Sequence, residues 1–359
     1  MPSLSCMTGG RPESPGMRQT DVDALVARMP ATSTGISRQA PFGDALLALG
    51  QSRDDVVVLS ADLSKYTDLT PFRTKFPERF IQVGMAEQNM FGIAGGLAKS
   101  GFLPIAVTYG VFATRRAFDQ VAMALATGKT GPSIVVAFLP GITTPFRATH
   151  QATEDLALMR EIPRMVVIDP ADATEQDAAL AAAARQDGPV YMRGLRGLVD
   201  QILEPQDFEF RIGQASLLCH GPDGLIVGTG LGTSWALEAQ SELAVQGMNY
   251  SILHVPTLKP IDRSAILAMA TGHRTIFTVE NHSILGGLAS AVSEVVTSEG
   301  LGVRVVPMGV PDAWAPAGSL DFVRSELDLT GVAIAGRIME ISRGVGNTSG
   351  GIKTVVNSC

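Results

Sequence analysis

From about residue 37 to residue 194, short β-branched runs alternate with longer stretches whose apolar positions recur at helical spacing. DVVVLS (55–60), PIAVTY (104–109), SIVVAFL (133–139), MVVID (165–169) and PVYMR (189–193) are almost continuously apolar. A strand of that kind is buried on both faces. Between these runs, QNMFGIAGGLAKS (88–100), TRRAFDQVAMALAT (114–127), TEDLALMREI (153–162) and TEQDAALAAAARQ (174–186) read as helices. Buried strands alternating with helices predict a mainly parallel sheet covered on both sides.

The alternation breaks at LRGLVDQILEPQDFEFRIG (195–213), where charges and turn residues gather. It resumes with DGLIVGTG (223–230), YSILHVP (250–256), TIFTVEN (275–281) and VRVVPMG (303–309). The chain is therefore expected to be α/β, with two doubly wound, mainly parallel-sheet domains at 37–200 and 215–341 and a linker at 201–214. Residues 1–36 and 342–359 are rich in Gly, Ser, Thr and Asn or Pro, and read as a flexible extension and a flexible tail. One short helix is expected in the extension, at Asp21–Met29.

Composition narrows the function classes. A formal charge of −7 argues against nucleic acid or an anionic membrane as the main partner. No apolar run reaches the roughly 18 residues of a membrane span. Three scattered cysteines (Cys6, Cys219 and Cys359) without a CxxC pair, and an N-terminus without an apolar core, fit a reducing cytoplasm. The five histidines lack zinc-motif spacing, and neither a GxSxG elbow nor a P-loop is present.

Several residues then stand out. GTGLGTSW (228–235) joins a strand to a helix. It reads either as a phosphate loop or, because the third glycine of GxGxxG is missing, as tight strand–helix packing. Glu87 opens a helix, where the dipole favours a carboxylate; it is either an ordinary first-turn acid or a functional one. Tyr109 and Phe112, followed by Arg115 and Arg116, provide a stacking face for a planar heterocycle or, equally, core packing beside a solvated basic pair. His150 lies in a loop, ITTPFRATHQATED, ahead of a helix.

Taken in order, SADLS (60–64), GMAEQNM (84–90), YGVFATRRAFDQV (109–121), ATHQATEDLALMREIP (148–163), PAD (170–172) and GPVYMR (188–193) resemble one family. It is the pyrimidine-binding half of transketolases, deoxyxylulose-phosphate synthases and the β chains of 2-oxoacid dehydrogenases. TLKPID (257–262) and VENHSILGGLASAV (279–292) resemble the C-terminal domain of the same superfamily. The resemblance spans about residues 36–340. No GDG motif of the diphosphate-binding domain occurs. The likeness is thus to the second subunit of a split, two-component transketolase.

That resemblance implies a function. A two-carbon ketol unit would pass from a ketose or ketose phosphate to an aldehyde through a dihydroxyethyl intermediate on thiamine diphosphate. Thiamine diphosphate and Mg2+ would be held largely by a partner bearing the diphosphate-binding domain, in a heterotetramer with two copies of each chain. By the same resemblance, Glu87 activates the cofactor, while Phe112, Tyr109 and Asp62 help bind it. His150 acts at the substrate, and Arg38, Arg115 and Arg193 bind it. Arginine suits that task because its planar fork binds oxyanions in pairs.

The substrate end departs from the family. PFRATH stands where GxDGxTH is usual, so a hydroxyl-reading aspartate is replaced by Phe146 and Arg147. Leu139 stands for a second histidine, and Tyr66 for a phosphate-contacting serine. These changes point to a specialised pathway. The alternatives are the β subunit of a 2-oxoacid dehydrogenase or a decarboxylating carboligase, and a non-catalytic scaffold.

Overall fold

The computed structural model describes residues 19–27, 29, 32–128, 131–205 and 208–344. The rest of the expected extension and tail, 1–18 and 345–359, lies outside the described residues.

The first domain is built on a seven-stranded sheet. Its order is Thr257–Lys259, Val166–Ile168, Pro189–Gly194, Ser133–Phe138, Leu103–Tyr109, Val56–Ser60 and Phe80–Gln82. All neighbours are parallel except the first pair. The four central strands are buried at every position, as their continuous apolar runs require. Alternate residues feed opposite faces. Val58, Ile105, Val107 and Val136 join Phe42 and Leu46 of helix Pro41–Ser52. Leu59, Ala106, Val135 and Ala137 join Met90 and Ala94 of helix Glu87–Lys99. The second domain has five strands, in the order Arg304–Val310, Thr275–Ser283, Gly224–Gly228, Tyr250–His254 and Ser216–Cys219. Both sheets are α/β and mostly parallel, as expected. No helix among the described residues is long and apolar enough to cross a membrane.

The connections are tighter than expected. Strand Thr257–Lys259, placed by its motif in the second domain, pairs antiparallel with Val166–Ile168 of the first. Strand Thr32–Gln39, part of the expected extension, pairs with Leu198–Leu203 at the expected linker. Helix Gln19–Val26 also lies within that extension, and its Leu25 is buried with Leu217 and Leu253 of the second domain. The helix expected at Asp21–Met29 is found at Gln19–Val26, whereas the strand at Thr32–Gln39 was not expected in the extension. The helix expected over 114–127 is broken into π-helical turns at Phe112–Arg116 and Val121–Leu125 around a short α-helical piece. The Thr114 hydroxyl donates to the Gly110 carbonyl at 2.8 Å, competing with the regular helical amide for that acceptor.

A buried charge lattice joins the domains. Arg193 is fully buried. Its Nε donates to Asp155 Oδ2 at 2.8 Å and its Nη2 to Asp155 Oδ1 at 2.5 Å. Nη1 reaches Asp169 Oδ2 at 3.1 Å and, across the domain junction, the Asn281 carbonyl at 3.2 Å. The Tyr191 hydroxyl donates to Asp155 at 2.6 Å. A second bridge runs from His254 Nε2 to Glu175 Oε2 at 2.7 Å. Arg193 was expected at the substrate. In the structure it is instead 0% exposed, with its guanidinium bonded to Asp155, Asp169 and the Asn281 carbonyl, so it presents no exposed face to a substrate.

Removing one member of a buried pair leaves the other charge desolvated and costs about 3–5 kcal/mol. Arg193→Ala is therefore expected to lower the unfolding free energy by that amount in urea titrations. A loss near zero would show that the lattice does not hold the fold.

The lattice also sets a pH dependence. Burial pushes Asp169 up to about 6 and Glu280 up to about 7. His254 is held above its ordinary value, since the Glu175 carboxylate outweighs the desolvation that opposes it. These groups bind protons in the folded state that the unfolded chain has released, so their contribution falls as pH rises through their folded values. His282 runs the other way: burial, helped by the charge of Arg193, lowers it to about 4. Its contribution grows with pH and is complete near the ordinary histidine value of about 6.5. Above that, Glu280 and His254 alone remain to titrate within the lattice. Stability is expected to fall between pH 6.5 and 8; a rise in urea midpoint over that interval would contradict the assignment.

Candidate functional site

Ligands in open parallel sheets bind beyond the carboxyl ends of the strands. Here those ends are Ser60, Tyr109, Phe138 and Gly194, and the candidate residues lie on the segments that follow them. Glu87 begins its helix after Gly84 and is 1% exposed. Its Oε2 accepts from Arg116 Nη1 at 2.8 Å. Its Oε1 takes no hydrogen bond among the described residues. Arg116 also lies over the Phe112 ring, 4.7 Å from its centroid.

Tyr109 ends its strand, and its ring stacks on Phe112 with centroids 5.8 Å apart and planes at 29°. Burial pushes the Tyr109 hydroxyl above its ordinary value. The His150 ring stands 5.6 Å from Phe112, 6.1 Å from Tyr109 and 4.9 Å from Phe146. Its Nδ1 is 3.0 Å from the Thr149 hydroxyl. The structure thus brings together Glu87, Tyr109, Phe112 and His150. Asp62 is exposed on the loop after Val56–Ser60, with φ of 61° and its N–H donating to Gln82 Oε1 at 2.7 Å.

The arginines fall elsewhere. Arg115 is spent on the His150 loop. It binds Glu154 through both ends of its fork, donates to the Ala148 carbonyl, reaches the Gln151 carbonyl at 3.0 Å and lies over Trp314. Arg38 sits on the edge ribbon and is paired with Asp177 at 2.5 Å. Arg193 is in the interior, as described above. A further cation at this end of the sheet is Arg196, three residues beyond Arg193. It is exposed, its charge acts on the Tyr109 hydroxyl, and it lines a cavity of about 260 Å³. Leu139, Pro140 and Thr143 line the same cavity, as do Leu231 and Ser234 from the second domain. The MRGLRG run holds two arginines, and burial separates their roles; spacing alone does not.

GTGLGTSW takes its packing reading. A Cβ on Gly232 would lie 2.3 Å from the Val279 carbonyl oxygen, and one on Gly230 the same distance from the Asp169 carboxylate. Gly232 thus allows its helix to pack on the neighbouring strand of its own domain, and Gly230 allows close approach to the first domain.

A half-buried aromatic face beside a dry carboxylate with one oxygen in reserve fits a planar heterocycle that shares a proton. Among the described residues, no group of three His, Cys, Asp or Glu side chains could hold a metal ion.

A doubly wound domain with this site, joined to a second α/β domain, defines a pyrimidine-binding domain with its C-terminal companion. The family described as transketolase, pyrimidine binding domain, matches residues 35–201, and transketolase, C-terminal domain, matches 213–334. The transketolase family protein y4mN of Sinorhizobium fredii is 44% identical over 306 residues, covering 85% of this chain and 88% of that protein. The 6-deoxy-6-sulfo-D-fructose transketolase subunit SqwH of a Clostridium species is 38% identical, covering 84% and 93%. A solved split-gene transketolase, described as an inactive β4 tetramer, superposes with a TM-score of 0.77 at 38% identity, covering 86% of this chain and 99% of that one. 1-Deoxy-D-xylulose-5-phosphate synthases also match, and this chain spans about half their length. The chain belongs to the transketolase family, and that membership implies dependence on thiamine diphosphate.

Proposed function

We propose that the chain is the pyrimidine-binding and C-terminal subunit of a two-component transketolase, transferring a two-carbon ketol unit to an aldehyde. The observation that carries this is the buried Glu87 carboxylate beside the Tyr109–Phe112 pair, with His150 on the far side. When bound, thiamine diphosphate supplies a nucleophilic carbon and an electron sink. Mg2+ and the diphosphate would be held by the partner, in an assembly of two copies of each chain. The inactive β4 state described for the solved relative is consistent with that division.

The residues of this chain do the rest. Glu87 holds a proton against a pyrimidine ring nitrogen through Oε1, or through Oε2 once Arg116 moves aside. Phe112 stacks on the ring, and Tyr109 backs Phe112 and keeps water out. Asp62 stands on the neighbouring loop, at the edge of the cofactor site. His150 hydrogen-bonds a substrate oxygen. A scaffold would need none of these groups.

The test combines this chain with a partner carrying the diphosphate domain. The chain alone is expected to turn over no ketose; the mixture is expected to turn over hydroxypyruvate or fructose 6-phosphate with an aldehyde acceptor. Glu87→Gln should assemble normally yet slow exchange of the thiazolium proton by about 10²–10⁴, the usual contribution of a general acid–base group. Near wild-type exchange would remove Glu87 from this role. The deoxyxylulose-phosphate synthase relatives keep a decarboxylating carboligase as the second reading. Preferential turnover of pyruvate would select it.

Arg196 takes over the anion-binding role first expected of Arg193. The SqwH relative, named for a sulfonated sugar, shows that anionic substrates occur among close relatives. Arg196→Gln is expected to raise KM for a phosphorylated or sulfonated substrate about 10- to 100-fold over its uncharged analogue, since a hydrogen bond to a charged group contributes roughly 1.5–3 kcal/mol. Equal effects on both would exclude Arg196 as the anion reader.

A further inference from the structure

The segment carrying His150 runs from Pro140 to Glu154, and one strand of the other domain holds both of its ends. Asn281 lies on strand Thr275–Ser283 and is 1% exposed. Its Oδ1 accepts from the Ile142 N–H at 3.0 Å, and its Nδ2 donates to the Pro140 carbonyl at 3.1 Å. The side-chain amide thus serves one acceptor and one donor of the loop, as a neighbouring strand would.

Two residues on, the Ser283 N–H donates to the Thr153 carbonyl at 2.7 Å. His282 Nδ1 faces the Ser283 carbonyl at 2.7 Å, which makes Nδ1 the donor and leaves Nε2 to accept from the Ala157 N–H at 3.4 Å. The ends of the loop are drawn together by the Gly141 N–H, which donates to the Ala152 carbonyl at 2.8 Å. Its crown is held by a second segment of the C-terminal domain. Gly318 N–H donates to the Pro145 carbonyl at 3.2 Å, and Gln151 Nε2 donates to the Pro316 carbonyl at 3.1 Å.

The approach at Asn281 leaves no spare room. Gly141 has φ of +56°, and a Cβ there would lie 2.1 Å from Asn281 Oδ1 and 2.3 Å from its carbonyl oxygen. A side chain at 141 would push loop and strand apart.

We propose that Asn281 is a positioning residue for substrate recognition: by clasping the start of the 140–154 loop, it sets where His150 stands against Tyr109 and Phe112. The C-terminal domain thereby takes part in substrate choice without placing a group on the reacting atoms. This rests on the reading of His150 as a substrate contact. The aromatic pair and Glu87 come from the first domain's own strand ends, so the clasp governs the substrate end of the site and leaves cofactor activation alone.

The test uses the assembled two-component enzyme with hydroxypyruvate as donor and glycolaldehyde as acceptor. Asn281→Ala and, from the opposite side, Gly141→Ala are compared with His150→Ala; Asn281→Ser serves if the alanine variant does not fold. Misplacing a substrate-orienting group by about 1 Å costs on the order of 100-fold, and loss of uniform binding appears in KM. Both clasp variants are expected to raise KM by roughly 10- to 100-fold with a smaller change in kcat. Thiazolium proton exchange should stay within about twofold of wild type, because Glu87 does not depend on the loop. Amide hydrogen exchange across 141–153 should accelerate, with Ile142 foremost, since that N–H loses its acceptor. An unchanged KM in the clasp variants, with His150→Ala impaired, overturns the positioning role and leaves the functional reading standing. Loss of thiazolium exchange together with KM also overturns it, because a general disruption would then be at work. An unchanged KM in His150→Ala removes the substrate contact itself, and the positioning role falls with it.

Discussion

A guanidinium without water must find carboxylates, and Arg193 finds two. Asp155 takes its fork in bidentate fashion and Asp169 takes a third N–H. This arrangement decides much else. Asp155 opens the helix after the His150 loop, Asp169 follows a central strand, and the remaining contact of Arg193 is a carbonyl of the second domain. The charge that cannot be left unpaired therefore fastens three elements that must stay in register for the site to exist. An apolar core would tolerate small slips between the domains; hydrogen bonds in a dry interior do not.

The division of labour between the domains follows from the sheet. Parallel strands end together, so side chains far apart in sequence, such as Glu87, Tyr109 and His150, meet at one edge. The strands fix where the segments leave but not the course of a long loop. The 140–154 segment has tight turns of its own, such as His150 N–H to the Arg147 carbonyl, and is fastened from outside by Asn281, Ser283, Pro316 and Gly318. Arg115 then ties the same loop to the π-helical turn that presents Phe112. The parts proposed to face cofactor and substrate thus lie on different segments, coupled through Arg115.

The sheet architecture was legible because each central strand is a continuous apolar run and longer Ala-rich, apolar stretches separate them. Glu87, Tyr109, Phe112 and His150 were singled out through ordered motifs, and the fold places them near one another at the carboxyl end of the sheet. Two kinds of feature were not. Pairing between distant edges, as for Thr32–Gln39 with Leu198–Leu203, leaves no local trace, because strands rich in Ser, Thr and Gln resemble loops in composition. The roles of the arginines were also hidden. Arg38, Arg115, Arg193 and Arg196 look alike in sequence, and what distinguishes them is which carboxylates the fold delivers: Asp177, Glu154, and the Asp155–Asp169 pair for the first three. Charge partners are tertiary information.

The departures from the family pattern lie at the substrate end, and their placement has a consequence for specificity. Leu139, which stands where the resemblance leads one to expect a histidine, lines the cavity, and Phe146 stands 57% exposed against His150. Such walls lose hydrogen-bond partners for sugar hydroxyls, and an unpaired hydroxyl in a dry pocket is penalised by more than an added methylene is rewarded. Arg196 lines the same cavity, is exposed, and its charge acts on the Tyr109 hydroxyl. On the proposed reading, a substrate matching both features would carry its charge at the far end and few hydroxyls in between. The activating role proposed for Glu87 demands nothing of that part of the molecule. The substrate end can therefore diverge while the aromatic pair and its carboxylate stay as they are.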